Sequence, residues 1–194
     1  MLKRQFANTE VLIPAIGQGT HGAGNRETAT NESITQRIRT LQYGIDLGFT
    51  LIDTSESYED GHAEELLGKA ISGRRNNVFI STKFSPENNS RKGVIKAAEG
   101  SLKRLSSDYI DLYQIHWPNS LIPVEETMMG LSELVAQGKV RFAGASNFEL
   151  SDIMEADDSC ENIPISSIQV EYNLTNRLAE NEILPFAKER NKTV

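Results

Sequence analysis

A (β/α)8 TIM barrel is the α/β fold this sequence predicts, here as about six β/α units behind an N-terminal hairpin. Two observations predict it. Short apolar runs alternate with segments of helical period about six times, the pattern of parallel strands joined by crossover helices. Chemically loaded residues close strand after strand: Thr20, Asp53, Lys83, His116, Ser146-Asn147 and Gln169 to Tyr172. A closed barrel turns every strand's C-terminal end onto one face, whereas an open sheet gathers its site at a single switch point.

Residues 4–13 alternate loosely around Asn8-Thr9-Glu10 and predict a small hairpin. Residues 13–20 predict the first strand, running into a glycine-rich turn. Ile34, Ile38, Leu41 and Ile45 recur at helical spacing over 33–47, and Gly48 stops that helix. Strands then follow at 50–54, 77–83, 109–116, 140–146 and 166–171. Helices are expected over 62–71, 90–105, 124–137, 149–156 and 179–190. Lys192-Thr193-Val194 has the look of a seventh strand's first residues. Six units of eight leave two strand edges open, so the chain is expected to be one barrel domain over 1–194, incomplete at its C-terminus. Residues 1–194 alone are accordingly expected to bind cofactor poorly and to associate through those edges.

Composition narrows the function classes. The chain has 194 residues, 38% of them hydrophobic and 24% charged, with a net charge of −7. That acidic balance argues against nucleic acid or an anionic membrane as partner. No apolar run approaches the roughly 20 residues that span a bilayer, and Met1 to Phe6 lacks a signal peptide's apolar centre. The single cysteine, Cys160, forms no internal disulfide and fits a reducing compartment. Its acidic neighbours Asp157, Asp158 and Glu161 argue against a reactive thiolate. The expectation is a cytoplasmic protein; no feature sets an oligomeric state, and a monomer is the simpler case.

Gly17-Gln18-Gly19-Thr20-His21-Gly22 matches G-x-G-x-x-G, but that fingerprint must open a helix directly. Here a polar loop, Ala23 to Asn31, intervenes, and Asp46 sits inside a helix instead of ending a strand. The glycines read as a tight turn. His21, His62 and His116 show no metal-ligand spacing, and no nucleophile elbow or phosphate loop is present. Asp53, Tyr58, Lys83 and His116 remain. A lone lysine ending a strand is ordinarily a solvated terminus, and a histidine before Trp117-Pro118 is equally a hydrogen-bonded core residue. On consecutive strands of one barrel face they make a proton-transfer device. A tyrosine is a poor acid at neutral pH; an ammonium beside it favours the phenolate, and a carboxylate behind keeps the ammonium charged and oriented. A histidine can steer a carbonyl oxygen towards the phenol.

These residues resemble the aldo-keto reductase family. The matching stretches are Leu51 to Tyr58, Glu64 to Ala70, Ile80 to Lys83, Tyr109 to Pro118, Gly138 to Arg141, Gly144 to Phe148 and Gln169 to Asn173. They run in family order over nearly the whole chain. The resemblance implies Tyr58 as proton donor, Lys83 easing loss of its proton, Asp53 paired with Lys83, and His116 orienting a small-molecule carbonyl. Hydride would come from NADP(H), giving an alcohol. Ser146, Asn147 and Gln169 would hold the nicotinamide carboxamide, with Gly19, Thr20 and Asp53 on the cofactor side and Trp117 walling the substrate pocket. NADP(H) rests on kinship, because the family's 2′-phosphate site comes from strands past Val194. His21 departs from the aromatic residue usual after the Gly-Thr of the first strand. A second function is compatible with the same tetrad: a non-catalytic NADPH-binding regulatory subunit resembling potassium-channel β subunits.

Overall fold

The computed structural model describes residues 1–22, 29–160 and 162–194. Strands β1 (Lys3–Gln5) and β2 (Leu12–Pro14) form an antiparallel hairpin. Six parallel strands follow in strict sequence order: β3 (Gln18–Gly19), β4 (Leu51–Asp53), β5 (Phe79–Phe84), β6 (Ile110–Ile115), β7 (Val140–Ser146) and β8 (Ile165–Gln169). Between and after them lie α1 (Asn31–Asp46), α2 (His62–Ala70), α3 (Arg91–Leu105), α4 (Val124–Ala136), α5 (Leu150–Ser159) and α6 (Ile183–Glu189). After α6, Thr193 makes a parallel bridge to Ser167, where the seventh strand was expected to enter. Among the described residues no helix is long and apolar enough to cross a membrane.

The sheet is rolled. Gln169 on β8 donates from Nε2 to Asp53 Oδ2 on β4 at 3.1 Å. Four strand spacings in a flat sheet would hold those strands about 19 Å apart. The six strands therefore form an arc of a (β/α) barrel, with the sequence's alternation setting its two faces. Outward-facing Ile52, Ile80, Phe84, Tyr113, Ile115 and Ala145 are buried against Leu67, Ala98, Leu105, Leu131 and Leu134 of the helices. Inward-facing residues change character along each strand. Leu51, Phe79, Leu112 and Phe142 are apolar at the N-terminal end; Asp53, Ser81, Lys83, Gln114, Ser146 and Gln169 are polar towards the C-terminal end.

The hairpin closes the apolar end. Phe6, 1% exposed, sets its ring 5.1 Å from Phe79 and 4.9 Å from Phe142. At the same end of the strands, Asp111 is buried and takes Arg75 Nη2 at 2.8 Å, Arg141 Nη1 at 2.6 Å and the Ile80 N–H at 3.0 Å. A carboxylate with this many donors is anchored well, and its place at the end remote from the polar layer makes it a stability device.

Most elements keep their expected spans to within one to three residues at each end, as in α5, expected over 149–156 and found at Leu150–Ser159, and two elements differ by more. The first strand, expected over 13–20, divides: Leu12–Pro14 stays on the hairpin, where the Ala15 N–H also bonds Leu2 O at 2.9 Å, and only Gln18–Gly19 joins the main sheet. Gly17 allows the turn between, since a Cβ there would lie 2.8 Å from Leu51 O. The last helix, expected over 179–190, is a 3-10 turn at Leu178–Glu180 and then α6. Pro185 explains the break. It lacks an N–H and its ring crowds the carbonyl four residues earlier, so a helix containing it must begin just before it. Much of the polar loop expected before α1, residues 23–28, lies outside the described residues; the helix itself opens at a Thr30–Ser33 capping box.

Candidate active site

The polar layer is built from the strand ends upward. Asp53 closes β4, in register with Gly19 of β3 and Ser81 of β5. Lys83 stands two residues past Ser81 on the same face and is 1% exposed. Its Nζ donates to Asp53 Oδ1 at 2.6 Å, to Thr54 O at 3.0 Å and to Tyr58 Oη at 3.3 Å. An ammonium has three protons, and all three find acceptors, which is what allows a buried charge to persist. Asp53's other oxygen takes Gln169 Nε2 at 3.1 Å and Ser81 Oγ at 3.4 Å.

From Gln169 a belt of polar side chains runs round the rim. Ser146 Oγ donates to Gln169 Oε1 at 3.3 Å, and Asn147 Nδ2 lies 3.0 Å from both Ser146 Oγ and the His116 carbonyl. Asn147 holds a left-handed backbone, φ 59°, a conformation asparagine tolerates better than most residues. On the other side Thr20 Oγ1 bonds Thr54 Oγ1 at 2.8 Å, and the Thr20 N–H bonds Asp53 O at 3.0 Å. Gly19 faces open space, with no heavy atom within 4 Å of a Cβ position. Gly19, Asp53, Ser81 and Gln169 form the polar end of a cavity of about 620 Å³ that runs down the inner face of the strands to Phe6, Phe79 and Leu112.

Tyr58 sits on the loop from β4 to α2, between two imidazoles. His21 lies edge-on at 4.9 Å between ring centroids and His116 edge-on at 5.9 Å. The loop then passes through Glu59, Asp60 and Gly61 in left-handed geometry, φ 50°, 53° and 79°. Each non-glycine residue held there costs on the order of 1 kcal/mol. Glycine suits position 61, where φ is 79° and a Cβ would lie 2.5 Å from the Arg104 side chain and displace it. That arginine donates from Nε to the fully buried Glu64 at 2.6 Å, and Thr82, next to Lys83, donates to the same carboxylate at 2.6 Å.

His116 follows β6. Its Nδ1 lies 3.2 Å from Ser55 Oγ and 3.4 Å from Ser57 Oγ. Burial first, and then the Lys83 ammonium, push the imidazole's pKa below its ordinary 6.5, with Asp53 opposing. Folding therefore favours the neutral ring, and the unfolded chain binds a proton that the folded chain resists. This contribution to stability is complete above pH 6.5 and is lost as pH falls below it towards the folded-state value. Denaturant midpoints are expected to decline from about pH 7.5 to 5.5, and His116→Gln to flatten part of that decline. An identical slope in the variant would assign it to other groups. Trp117 comes next, its side chain half exposed and its carbonyl held by Asn89 Nδ2 at 3.2 Å.

The structure thus brings together Asp53, Tyr58, Lys83 and His116, and joins Gly19, Thr20, Ser146, Asn147 and Gln169 to the same rim. It adds residues the sequence reading passed over. Ser81 and Gln114 (Gln114 Nε2 to Ser81 Oγ, 2.8 Å) form the floor beneath Asp53. Ser55 and Ser57 hold the His116 ring. The floor had a visible signal: Ser81 and Gln114 stand two residues before Lys83 and His116, on the same strand face.

The aldo/keto reductase family model matches residues 15–194. The chain belongs to the aldo-keto reductase family. It is 39% identical over 193 residues to the methylglyoxal reductase YeaE of Escherichia coli (strain K12), covering 98% of this chain and 65% of that protein. It is also 39% identical to the aldo-keto reductase YhdN of Bacillus subtilis (strain 168), covering 97% of this chain and 59% of that protein. This aldo-keto reductase chain therefore spans about three fifths of those relatives' length. Among solved structures, a thermostable aldo-keto reductase crystallised with the inhibitor epalrestat superposes with a TM-score of 0.94 at 41% identity, over 100% of this chain and 71% of its own. An aldo-keto reductase from Klebsiella pneumoniae in complex with NADPH superposes with a TM-score of 0.90 at 35% identity, over 99% and 66% respectively.

Proposed function

We propose that this aldo-keto reductase reduces a small aldehyde or ketone to the alcohol with NADPH, Tyr58 supplying the proton. The observation that carries the reading is Lys83: one buried ammonium 2.6 Å from Asp53 and 3.3 Å from the Tyr58 phenol. A reduced nicotinamide, when bound, supplies hydride to the carbonyl carbon. The residues of this chain do the rest. Tyr58 Oη gives its proton to the carbonyl oxygen as negative charge develops there, and Lys83 stabilises the phenolate that remains. Asp53 holds Lys83 in place. The His116 ring orients the carbonyl, its Nδ1 side anchored by the Ser55 and Ser57 hydroxyls.

The rim suits a nicotinamide carboxamide. Ser146, Asn147 and Gln169 offer hydroxyl and amide groups in one row beside Asp53, and open space lies against Gly19. These residues, with Thr20, are proposed to hold that end of the cofactor, and Trp117 to wall the substrate side. The NADPH complex of the Klebsiella pneumoniae neighbour supports the cofactor, and the name of the Escherichia coli relative supports a small carbonyl substrate. A cytoplasmic setting is part of the same proposal.

The test is loss of NADPH absorbance by the full-length protein under a panel of saturating aldehydes and ketones. Turnover with stoichiometric alcohol is the expected result. NADPH binding with no turnover on any carbonyl would replace the enzyme reading with that of a cofactor-binding regulatory subunit.

A further inference from the structure

One side chain ties the loop after β3 to the loop after β4. Glu59 Oε1 accepts the Gly22 N–H at 2.9 Å, while Arg37 Nη2 donates to the Gly22 carbonyl at 2.5 Å. Both backbone polar groups of Gly22 are thereby gripped from opposite sides. Its neighbour His21 lies edge-on to Tyr58, and Glu59 directly follows Tyr58 in the chain. The grip therefore joins the imidazole and the phenol that pack edge-on against each other.

Two features single out Glu59 from an ordinary loop residue. Its backbone is left-handed, φ 50°, where glycine would sit without strain. Its second carboxylate oxygen, Oε2, is buried and has no hydrogen-bond partner among the described residues. Glycine at this position would remove the strain and the uncompensated oxygen together. It would also release Gly22. Local strain beside a reacting group is a pointer to function when the geometry says what the strained residue holds.

We propose that Glu59 is a positioning residue of the substrate pocket: by gripping Gly22 it fixes His21 against Tyr58 as a rigid wall. The inference rests on the carbonyl-reductase reading. Glu59 acts through His21 and touches neither Lys83 nor the Asp53–Gln169–Ser146 rim. Releasing it loosens the wall and leaves the proton donor's partners and the cofactor rim in place. Substrate binding should weaken much more than the chemical step.

The experiment compares Glu59→Ala, Glu59→Gly and Glu59→Gln in the full-length protein. Alanine and glycine are expected to raise KM for an aldehyde about tenfold, the scale of a loosened pocket contact, with kcat and NADPH affinity little changed. Glutamine keeps an acceptor oxygen for Gly22 and should bring KM back to within about threefold. The glycine variant loses the strain as well as the grip. Its melting temperature should equal or exceed that of the alanine variant, so a KM rise shared by both is not a folding defect. The His21 ring protons, assigned with His21→Asn, report the wall independently of turnover through the ring current of Tyr58. That shift should vanish in the alanine and glycine variants and survive in glutamine. An unmoved shift, or a lost shift with an unmoved KM, overturns the proposal. A wild-type protein that reduces no carbonyl sinks the functional reading instead, and an unmoved shift would then still refute the grip.

Discussion

Tyr58→Phe is expected to abolish carbonyl reduction and to leave NADPH binding unchanged. The substitution removes one oxygen and almost no volume, so the ring keeps its edge contacts with His21 and His116. Lys83 loses its longest contact, 3.3 Å, and keeps Asp53 and Thr54 O. The stability cost of that single hydrogen bond is about 1 kcal/mol. The chemical cost is far larger, because a carbonyl oxygen taking on negative charge then loses the phenol positioned to give it a proton. A positioned general acid contributes roughly 10² to 10⁴ in rate, and a loss of that order in kcat is the expected result. Cofactor affinity, read by fluorescence titration, should stay at the wild-type value, since the proposed carboxamide-holding residues are elsewhere on the rim. Turnover within a few-fold of wild type would remove Tyr58 from the role of acid.

How much of this was legible in the chain depends on the physical scale of each feature. Asp53 and Lys83 were readable because each ends a short apolar run, and a run's end marks the rim of a parallel barrel. Their partnership with Gln169, 116 residues on from Asp53, was readable only through the barrel's closure. Ser55 and Ser57 were not readable as supports of His116. A serine after a strand is ordinary turn chemistry, and which side chain it meets is decided by a strand 61 residues further on. Glu59 was the least visible of all. Backbone handedness leaves a trace in sequence when glycine or asparagine takes the position, as at Gly61 and Asn147, and glutamate gives none. The division of the first strand followed from a contact, Gly17 against Leu51 O, between segments far apart in the chain. The broken last helix did have a local cause in Pro185, which its helical spacing masked.

Lys83→Met should be nearly as damaging to turnover as loss of the phenol, and for a separable reason. Methionine fills the buried slot without the charge. Arginine would not serve as a conservative control, because its planar fork needs several acceptors in one plane, whereas the three acceptors here surround a single nitrogen. Removing one member of a buried pair can cost 3–5 kcal/mol when the other is stranded, by the general scale for such pairs, roughly. Asp53 is not stranded: its side chain is 27% exposed and Gln169 still donates to it. A stability loss on the order of 1–2 kcal/mol is therefore expected, while kcat falls roughly 10²-fold or more as the phenolate loses its counter-charge. The double variant decides whether Lys83 works through Tyr58. Groups acting as one unit are strongly non-additive, so adding Lys83→Met to Tyr58→Phe should lower the residual rate by less than about threefold. If Lys83→Met costs the same factor in both backgrounds, the ammonium acts on the substrate or cofactor directly, and its 3.3 Å contact with the phenol is packing alone.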